Sequence, residues 1–329
     1  MHASRSFRLR AATPADGECV ATMCAALSAE EGLGATSHFT AAAFRRDGFG
    51  PAPAFACLIA EIDGAPVGYA LHCPDYDTDR LCRSVYLADL YVESAARGQG
   101  VGRALMAATA AAGRVQGARL MMWSVLRSNE RARRFYATIG REIDDQLEMV
   151  VMRERFDRLA AAALPADGLT LRTAIAADAP LLEHLLQAML REIGEPAKPD
   201  TAEALRRDGF GANPAFTAVV AERGGTPAGY ALYWPTYDTE SASRGGWLSD
   251  LYVLPDERRH GVAGRLMAEL ARRTAAAGGS YLVWLVHANN ERARAFYRRL
   301  GEEFLPAIAC ICEGTAFETL AGEVATTRL

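Results

Sequence analysis

"ARGQGVGRALM" (Ala96–Met106) decides the fold, because a glycine-rich loop here follows a β-rich segment and leads into an apolar helical pattern. The first backbone N–H groups of a helix lack intrahelical partners, and the helix dipole makes that end positive. The three glycines let an anion approach the backbone closely, while Arg97 and Arg103 add positive charge. The stretch therefore predicts a phosphate or pyrophosphate site.

Two common phosphate-binding motifs do not match this loop. A P-loop would continue as Gly-Lys-Ser/Thr, and a dinucleotide fingerprint needs G-x-G-x-x-G with an acidic residue after the next strand. The spacing here is R-x-x-G-x-G, from Arg97 to Gly102. A second loop, "RRHGVAGRLM", carries R-x-x-G-x-A from Arg258 to Ala263.

The second loop belongs to a repeat that spans nearly the whole chain. For example, "RRDGFGPAPAF" (Arg45–Phe55) returns as "RRDGFGANPAF" (Arg206–Phe216), an offset of 161 residues. Solenoid repeats are much shorter, roughly 20–50 residues. We therefore predict two duplicated domains, residues 1–161 and 169–329, with a linker in "LAAAALPADG" (Leu159–Gly168).

Each copy is predicted to contain a strand, two helices, three strands, a helix, a strand, a helix and a last strand. Asp63-Gly64 is a hairpin turn signal, and helices are expected over Ala15–Leu27 and about Gly100–Arg114. Hairpins beside a β-loop-α-β-α half indicate an α/β (α+β) fold. Its central sheet should be mixed, mostly antiparallel and flanked by helices.

Composition excludes several other classes of protein. The net charge of −4 does not suggest a nucleic-acid partner. Seven cysteines, an odd number lying mostly in apolar runs, favour buried thiols in a reducing cytoplasm over disulfides. The chain shows no secretory signal peptide, no apolar run near ~18 residues and no metal-ligand cluster, so we expect no membrane span and no metal.

With these motifs, the chain resembles the GNAT superfamily of acyl-CoA-dependent N-acetyltransferases. Their acetyl-CoA signature is Q/R-x-x-G-x-G/A after a strand, and both loops fit it. "DGFG", "YLADLYV" and "SNERARRFY" are similar to the diamine branch, which contains spermidine/spermine and thialysine acetyltransferases. The resemblance implies two tandem GNAT domains, packed as an intramolecular pseudo-dimer.

The same resemblance implies an acetyl-CoA site in each copy. In the first copy the implied contacts are Leu90, Tyr91, Val92, Arg97, Gly98, Gln99, Gly100, Val101, Gly102, Arg103, Asn129 and Ala132. In the second copy they are Leu251, Tyr252, Val253, Arg258, Arg259, His260, Gly261, Val262, Ala263, Gly264, Asn290 and Ala293. Arg259 and His260 replace Gly98 and Gln99, a change that keeps the backbone N–H donors if the local dihedrals do not require glycine.

Tyr136 and Tyr297 match the family tyrosine that protonates the departing CoA thiolate. From the residues alone, it is equally open that each tyrosine has only a packing role, with its ring buried and its hydroxyl at the surface. Glu30 and Glu192 match a family position near the amine, and a solvated helix face is their alternative.

The general base of the diamine branch is absent. Its glutamate position holds Ala88 in the first copy and Ser249 in the second. Asp89 and Asp250 follow directly, and we include them as candidate contacts of the amine. Because neighbouring strand residues point to opposite faces, they can replace the glutamate only if a β-bulge redirects them.

The sequence therefore predicts an acetyl-CoA-dependent N-acetyltransferase acting on a primary amine of a small molecule, by direct attack in a ternary complex. Polyamines, amino acids and aminoglycoside-like compounds are candidate acceptors. Two alternatives stay open: one copy is a non-catalytic acyl-CoA-binding or pseudo-dimer module, or the chain is a tandem acetyltransferase of the mycothiol synthase type.

Overall fold

The computed structural model describes residues 6–32, 38–163, 168–304 and 306–326. We call residues 6–163 the first copy and 168–326 the second copy. Residues 164–167 of the predicted linker lie outside the described residues.

Both copies contain the same order of elements. The first copy has β1 (Phe7–Ala11), α1 (Gly17–Glu31), α2 (Ala41–Phe49), β2 (Ala56–Ile62), β3 (Ala65–Asp77), β4 (Cys82–Val92), α3 (Val101–Val115), β5 (Leu120–Leu126), α4 (Glu130–Tyr136), β6 (Arg141–Ile143), β7 (Gln146–Met152) and α5 (Arg153–Ala160). The second has β8 (Leu169–Thr173), α6 (Ala179–Ile193), α7 (Thr201–Gly209), β9 (Thr217–Arg223), β10 (Thr226–Asp238), β11 (Ser243–Val253), α8 (Val262–Ala276), β12 (Gly279–His287), α9 (Glu291–Tyr297), β13 (Glu302–Phe304), β14 (Ala307–Glu313) and α10 (Gly314–Gly322).

These strands form two seven-stranded sheets, in the orders β1-β2-β3-β4-β5-β14-β6 and β13-β7-β12-β11-β10-β9-β8. The pairs β4–β5 and β11–β12 are parallel, and the other described pairs are antiparallel. The predicted α/β class, with mixed and mostly antiparallel sheets flanked by helices, is confirmed.

The two copies exchange their last long strands. Strand β14 of the second copy lies between β5 and β6 of the first, and β7 of the first lies between β12 and β13 of the second. Each exchanged strand pairs along seven residues with its long neighbour, for example Cys310 with Trp123 and Val150 with Val283. Each sheet therefore draws its strands from both copies.

Two glycines make room for the exchanged strands. A Cβ atom at Gly140 would lie 2.2 Å from the Ile311 carbonyl oxygen, and one at Gly301 would lie 2.2 Å from that of Val150. Contacts below 3.0 Å essentially never occur for a real Cβ atom. Glycine is thus required at both positions, Gly140 and Gly301, by a backbone from the other copy.

The helices after the exchanged strands complete the cores of the opposite copies. Phe317 of α10 is fully buried in one hydrophobic core with Leu105 of α3. Phe156 of α5 is buried in another with Leu266 of α8. Each core contains side chains from both copies. Strand exchange and hydrophobic burial therefore both stabilise the association of the two copies.

The "RRDGFG" repeat also lies at the boundary between copies. The buried Asp47 carboxylate accepts a hydrogen bond from the Tyr237 hydroxyl at 2.9 Å and lies 3.4 Å from the Arg244 guanidinium. Its counterpart Asp208 lies 3.6 Å from the Arg83 guanidinium of the first copy. A repeated motif that is distant in sequence from the glycine loop therefore joins the copies.

Among the described helices, none has the length and apolar character needed to cross a bilayer.

We expect Gly140→Ala to lower the free energy of unfolding by about 3 kcal/mol or more, because the β14 backbone must move to accommodate the Cβ atom. Urea unfolding measures this change. The matched control is Gly322→Ala at the end of α10, where the added Cβ meets no atom within 4 Å and should be neutral or slightly stabilising. Equal unfolding free energies for the two variants would contradict the close approach.

Candidate active site

A β-bulge lies at the predicted base position in each copy. Leu71 pairs with Asp89 but the next residue, His72, pairs with Leu87, so Ala88 is an extra residue in β4. The second copy has the same shift at Ser249. As a result, Ala88 and Asp89 line the same cavity, and so do their counterparts in the second copy. The bulge that would redirect the aspartates is present.

Each of these aspartates is held by a hydroxyl group from the other copy. The two Asp89 carboxylate oxygens accept hydrogen bonds from Tyr69 and from Thr239, both at 2.8 Å. Burial outweighs these donors and raises the pKa of Asp89 to about 6.

Asp250 repeats this arrangement, with Tyr230 donating at 2.9 Å and Thr78 of the first copy at 2.9 Å. Burial again raises the pKa of Asp250 to about 6. Both predicted amine contacts are therefore buried carboxylates whose geometry depends on the other copy.

The two predicted tyrosines lie at the ends of short helices whose first turns are capped by asparagine. The Asn129 side chain accepts a hydrogen bond from the Ala132 amide at 3.1 Å, and Asn290 caps α9 in the same way. The Tyr136 ring packs 5.2 Å from the Trp123 ring. Tyr297 has the same relation to a tryptophan of β12.

Neither tyrosine hydroxyl is hydrogen-bonded to a described residue. Burial raises the pKa of both Tyr136 and Tyr297, so each phenol stays protonated near neutral pH. A protonated, unengaged phenol can donate a proton to a reacting group.

The first cavity, which we call site 1, measures about 200 Å³ and contains Tyr136. It is lined by Cys24, Leu27, Ser28, Glu31, Tyr86, Leu87, Ala88, Asp89, Leu90, Trp123, Ser124, Val125, Leu126, Tyr136, Glu148, Tyr237, Asp238, Thr239, Glu240, Phe304 and Ala307. Five of these residues are Asp or Glu, and none of the described lining residues is Lys, Arg or His. Any charge that the described lining residues give site 1 at neutral pH is therefore negative.

Four of the five carboxylates were not assigned to the site of the first copy from the sequence. Burial raises the pKa of Glu31 and of Glu148 to about 7 in each case. Glu148 lies on exchanged strand β7, and the remaining two, Asp238 and Glu240, come from the end of β10 and the turn after it. Only Glu31 had a local signal, since it neighbours the predicted Glu30; the others reach site 1 through contacts between copies.

The second cavity, which we call site 2, measures about 960 Å³ and includes Tyr297 together with the glycine loop. The predicted residues that line it are Glu192, Asp250, Leu251, Tyr252, Val253, Arg258, Arg259, Gly261, Val262, Ala263, Gly264, Asn290, Ala293 and Tyr297. The structure thus brings most of the predicted second-copy site into one cavity.

The predicted glutamates at the ends of α1 and α6 bind arginines instead of facing the cavity freely. Glu30 accepts hydrogen bonds from Arg97 at 2.7 Å and from Arg131 at 3.3 Å. Glu192 pairs with the equivalent arginines of the second copy. These glutamates therefore join the first long helix of each copy to its glycine loop.

The loop arginines also have structural partners. The Arg97 Nε atom donates to the Val92 carbonyl oxygen at 2.6 Å, and its guanidinium stacks 5.6 Å from the Tyr91 ring centre. Arg103 forms an ion pair with Glu323 at 2.7 Å. Arg97 holds the loop against the end of β4, which leaves the backbone amides as the principal anion donors at this point.

The backbone of the glycine loop is left-handed at two positions in each copy. Gly98 and its counterpart Arg259 have φ values of 75° and 65°, and Gly100 and Gly261 have values of 86° and 77°. Arg259 therefore occupies a dihedral that favours glycine. The condition set by the sequence is therefore not met, since the position is left-handed in both copies; Arg259 nevertheless adopts nearly the same φ as Gly98. Among the described residues, no group of three or more His, Cys, Asp or Glu side chains could hold a metal ion.

Comparisons with known proteins agree with this geometry. The acetyltransferase (GNAT) family is matched twice, at residues 25–140 and 181–301. Thialysine N-ε-acetyltransferase of Mus musculus is 34% identical over 154 residues, which cover 42% of this chain and 90% of the relative.

Two solved structures match nearly the whole chain. One is a tandem GNAT protein from the clavulanic acid biosynthesis pathway, with a TM-score of 0.50, 17% identity and coverage of 94% of this chain and 98% of that chain. The other is a GCN5-related N-acetyltransferase from Sphaerobacter thermophilus, with a TM-score of 0.50, 20% identity and coverage of 93% and 95%. At these identities the likeness concerns the fold.

We expect Thr239→Val to destabilise the protein more at pH 8 than at pH 5. The Asp89 pKa of about 6 lies above its usual value, so this carboxyl is protonated at pH 5 and ionised at pH 8. Loss of the Thr239 donor then costs about 1 kcal/mol at pH 5 and about 2 kcal/mol at pH 8, where the acceptor is charged. Urea unfolding at both pH values measures the difference. Thr239→Ser keeps the hydroxyl and is the control; an equal loss at both pH values would contradict the assignment.

Proposed function

Because this chain belongs to the acetyltransferase (GNAT) family, we propose that it transfers the acetyl group of acetyl-CoA to a primary amine of a small molecule. The observation that carries the proposal is the anionic lining of site 1 around Tyr136. A cavity with five carboxylates and no described cationic lining residue favours an ammonium group over an anionic or neutral acceptor.

The glycine loops fit the pyrophosphate of acetyl-CoA. Cβ atoms added at Gly98, Gly100 and Gly261 would meet no atom within 4 Å, so open space lies beside the backbone there. Gly100 and Gly261 are also the N-caps of α3 and α8, where unpaired N–H groups and the helix dipole attract an anion. Bound acetyl-CoA supplies a thioester whose carbonyl carbon an amine can attack.

The residues of site 1 can perform the remaining steps. The attacking amine must lose a proton, and Glu31 is the best placed base because it accepts no hydrogen bond from a described residue and its pKa of about 7 suits proton transfer. The Asp89 oxygens are already occupied by two donors. As the N–C bond forms and the C–S bond breaks, Tyr136 donates its proton to the thiolate, and the proton that leaves the acylated nitrogen restores the phenol.

Site 2 has the same tyrosine and aspartate but no glutamate at the Glu31 position. The α6 helix ends in Ile193 where α1 ends in Glu31. Because the Asp250 oxygens carry the same two kinds of donor as those of Asp89, we propose that the amine loses its proton to water there. Both copies are therefore proposed to transfer acetyl groups by direct attack in a ternary complex.

We expect the double variant Tyr136→Phe, Tyr297→Phe to lower kcat about 100-fold or more, because both proton donors are lost. Thiol release with an amine panel measures turnover. Acetyl-CoA binding, followed by calorimetry, should keep two sites and an unchanged Kd in this variant. Unchanged turnover would remove the tyrosines from the mechanism, and an absence of acetyl transfer by the wild-type protein would remove the proposed function.

We expect cation binding at site 1 to strengthen as the pH rises from 6 to 8. Glu31 and Glu148 have pKa values near 7, raised by burial, so they are mostly neutral at pH 6 and mostly ionised at pH 8. The probe is N,N,N′,N′-tetramethyl-1,4-diaminobutane, a permanently unacetylated dication over this range. Its inhibition constant should fall about tenfold or more. Glu148→Gln should flatten the profile, and a flat wild-type profile would contradict the role of these carboxyls.

A further inference from the structure

We propose that the two copies acetylate different acceptors. Site 1 accepts an amine that carries two or more positive charges, and site 2 accepts an amine with one positive charge and a flat apolar body. This inference rests on the proposed function, since it names the acceptor class of each site.

The first support is the loss of two carboxylates from site 2. Glu31, at the end of α1, corresponds to Ile193 at the end of α6. Glu148 of the exchanged strand β7 corresponds to Ala309 of β14. Glu148 pairs with Leu285, and Ala309 pairs with Ser124. Ser124 and Leu285 are themselves equivalent positions of the two copies. The two changes remove charge from two different walls of the site.

The second support is that most remaining carboxylates of site 2 are paired with cations. Asp77, the counterpart of Asp238, forms an ion pair with Arg80 at 3.0 Å. Asp79, the counterpart of Glu240, lies 3.1 Å from the ammonium of Lys198, the only lysine of the chain. In site 1 neither counterpart has an ion pair with a described residue; the Asp238 carboxylate accepts hydrogen bonds from the backbone and hydroxyl of Ser241, which leave its negative charge in place.

The other carboxylates that line site 2 follow the same trend. Glu192 and Glu257 are ion-paired with arginines, and Asp145 lies 3.8 Å from the His287 imidazole. Asp75 is buried and accepts a hydrogen bond from the Ser84 hydroxyl at 2.6 Å, whereas Glu31 and Glu148 of site 1 are only half-buried. Asp250 remains as the principal charged contact for a ligand, which suits a single ammonium group.

The third support is a wall of two tryptophans in site 2, whose counterparts in site 1 are a tyrosine and a cysteine. Trp247 replaces Tyr86, Trp234 replaces Cys73, and Leu285 replaces Ser124. The two tryptophan rings are nearly parallel, at 17°, with centres 6.5 Å apart, and both line site 2. A flat hydrocarbon or aryl group can pack on this wall, and Trp also attracts a nearby ammonium group.

The test uses the full chain with one site disabled at a time. Tyr297→Phe leaves site 1 active and Tyr136→Phe leaves site 2 active; the double variant measures the residual rate, which is subtracted. The probes are 1,4-diaminobutane and 2-phenylethylamine, each with acetyl-CoA, and kcat/KM is obtained from thiol release. We expect the site 1 protein to prefer the diamine at least about tenfold and the site 2 protein to prefer the aryl amine by a similar factor.

Matched substitutions then assign the preferences to the named walls. In the site 1 protein, Glu148→Gln should lower kcat/KM for 1,4-diaminobutane about tenfold. In the site 2 protein, Trp247→Leu should do the same for 2-phenylethylamine. Folding of each variant is checked by urea unfolding and by acetyl-CoA binding.

The outcomes separate the inference from the proposed function. The same preference in both single-site proteins, or no transfer to 2-phenylethylamine by the site 2 protein, overturns the inference while acetyl transfer itself stands. If the wild-type protein transfers acetyl groups to no amine, the proposed function fails and this inference fails with it. Opposite preferences that depend on Glu148 and Trp247 support it.

Discussion

The exchange of strands β7 and β14 is the constraint on which the rest of the structure depends. Each strand supplies backbone hydrogen bonds to the opposite sheet, and each is followed by a helix that fills the opposite core. Gly140 and Gly301 allow the close backbone approach that this exchange requires. Because neither sheet is complete without the other copy, the duplication produced one interlocked unit, in which cavity walls are shared.

The shared walls place charge where a single copy could not. Thr239 and Thr78 each donate to the aspartate of the opposite site, so the β-bulge carboxylates are oriented by the neighbouring copy. Tyr86 and Trp247 lie 5.7 Å apart, and each lines its own site. Substitutions in one copy can therefore alter either cavity, which explains how two copies of one motif acquired different electrostatic environments.

Much of the fold was predictable because its signals are local. The Asp63-Gly64 turn and the glycine loop before α3 predicted the mixed sheet, which is confirmed, and most of the element order; the short strand β6, the helix α5 and their counterparts β13 and α10 were not predicted. The catalytic interpretation of Tyr136 and the cofactor contacts remain predictions supported by their position. Glu30 shows the limit of local inference: its neighbour Glu31 faces site 1, and one residue along a helix changes the direction of a side chain by about 100°.

The sequence by itself determined the duplication, the glycine loop of each copy, and the absence of a glutamate at Ala88 and Ser249. Only the tertiary structure decided which carboxylates line site 1, because Glu148 and Glu240 reach it through strand exchange and contacts between copies. Periodicity reports the face on which a residue lies within its own element. It does not report which distant strand pairs with that element, since pairing depends on packing of the whole chain.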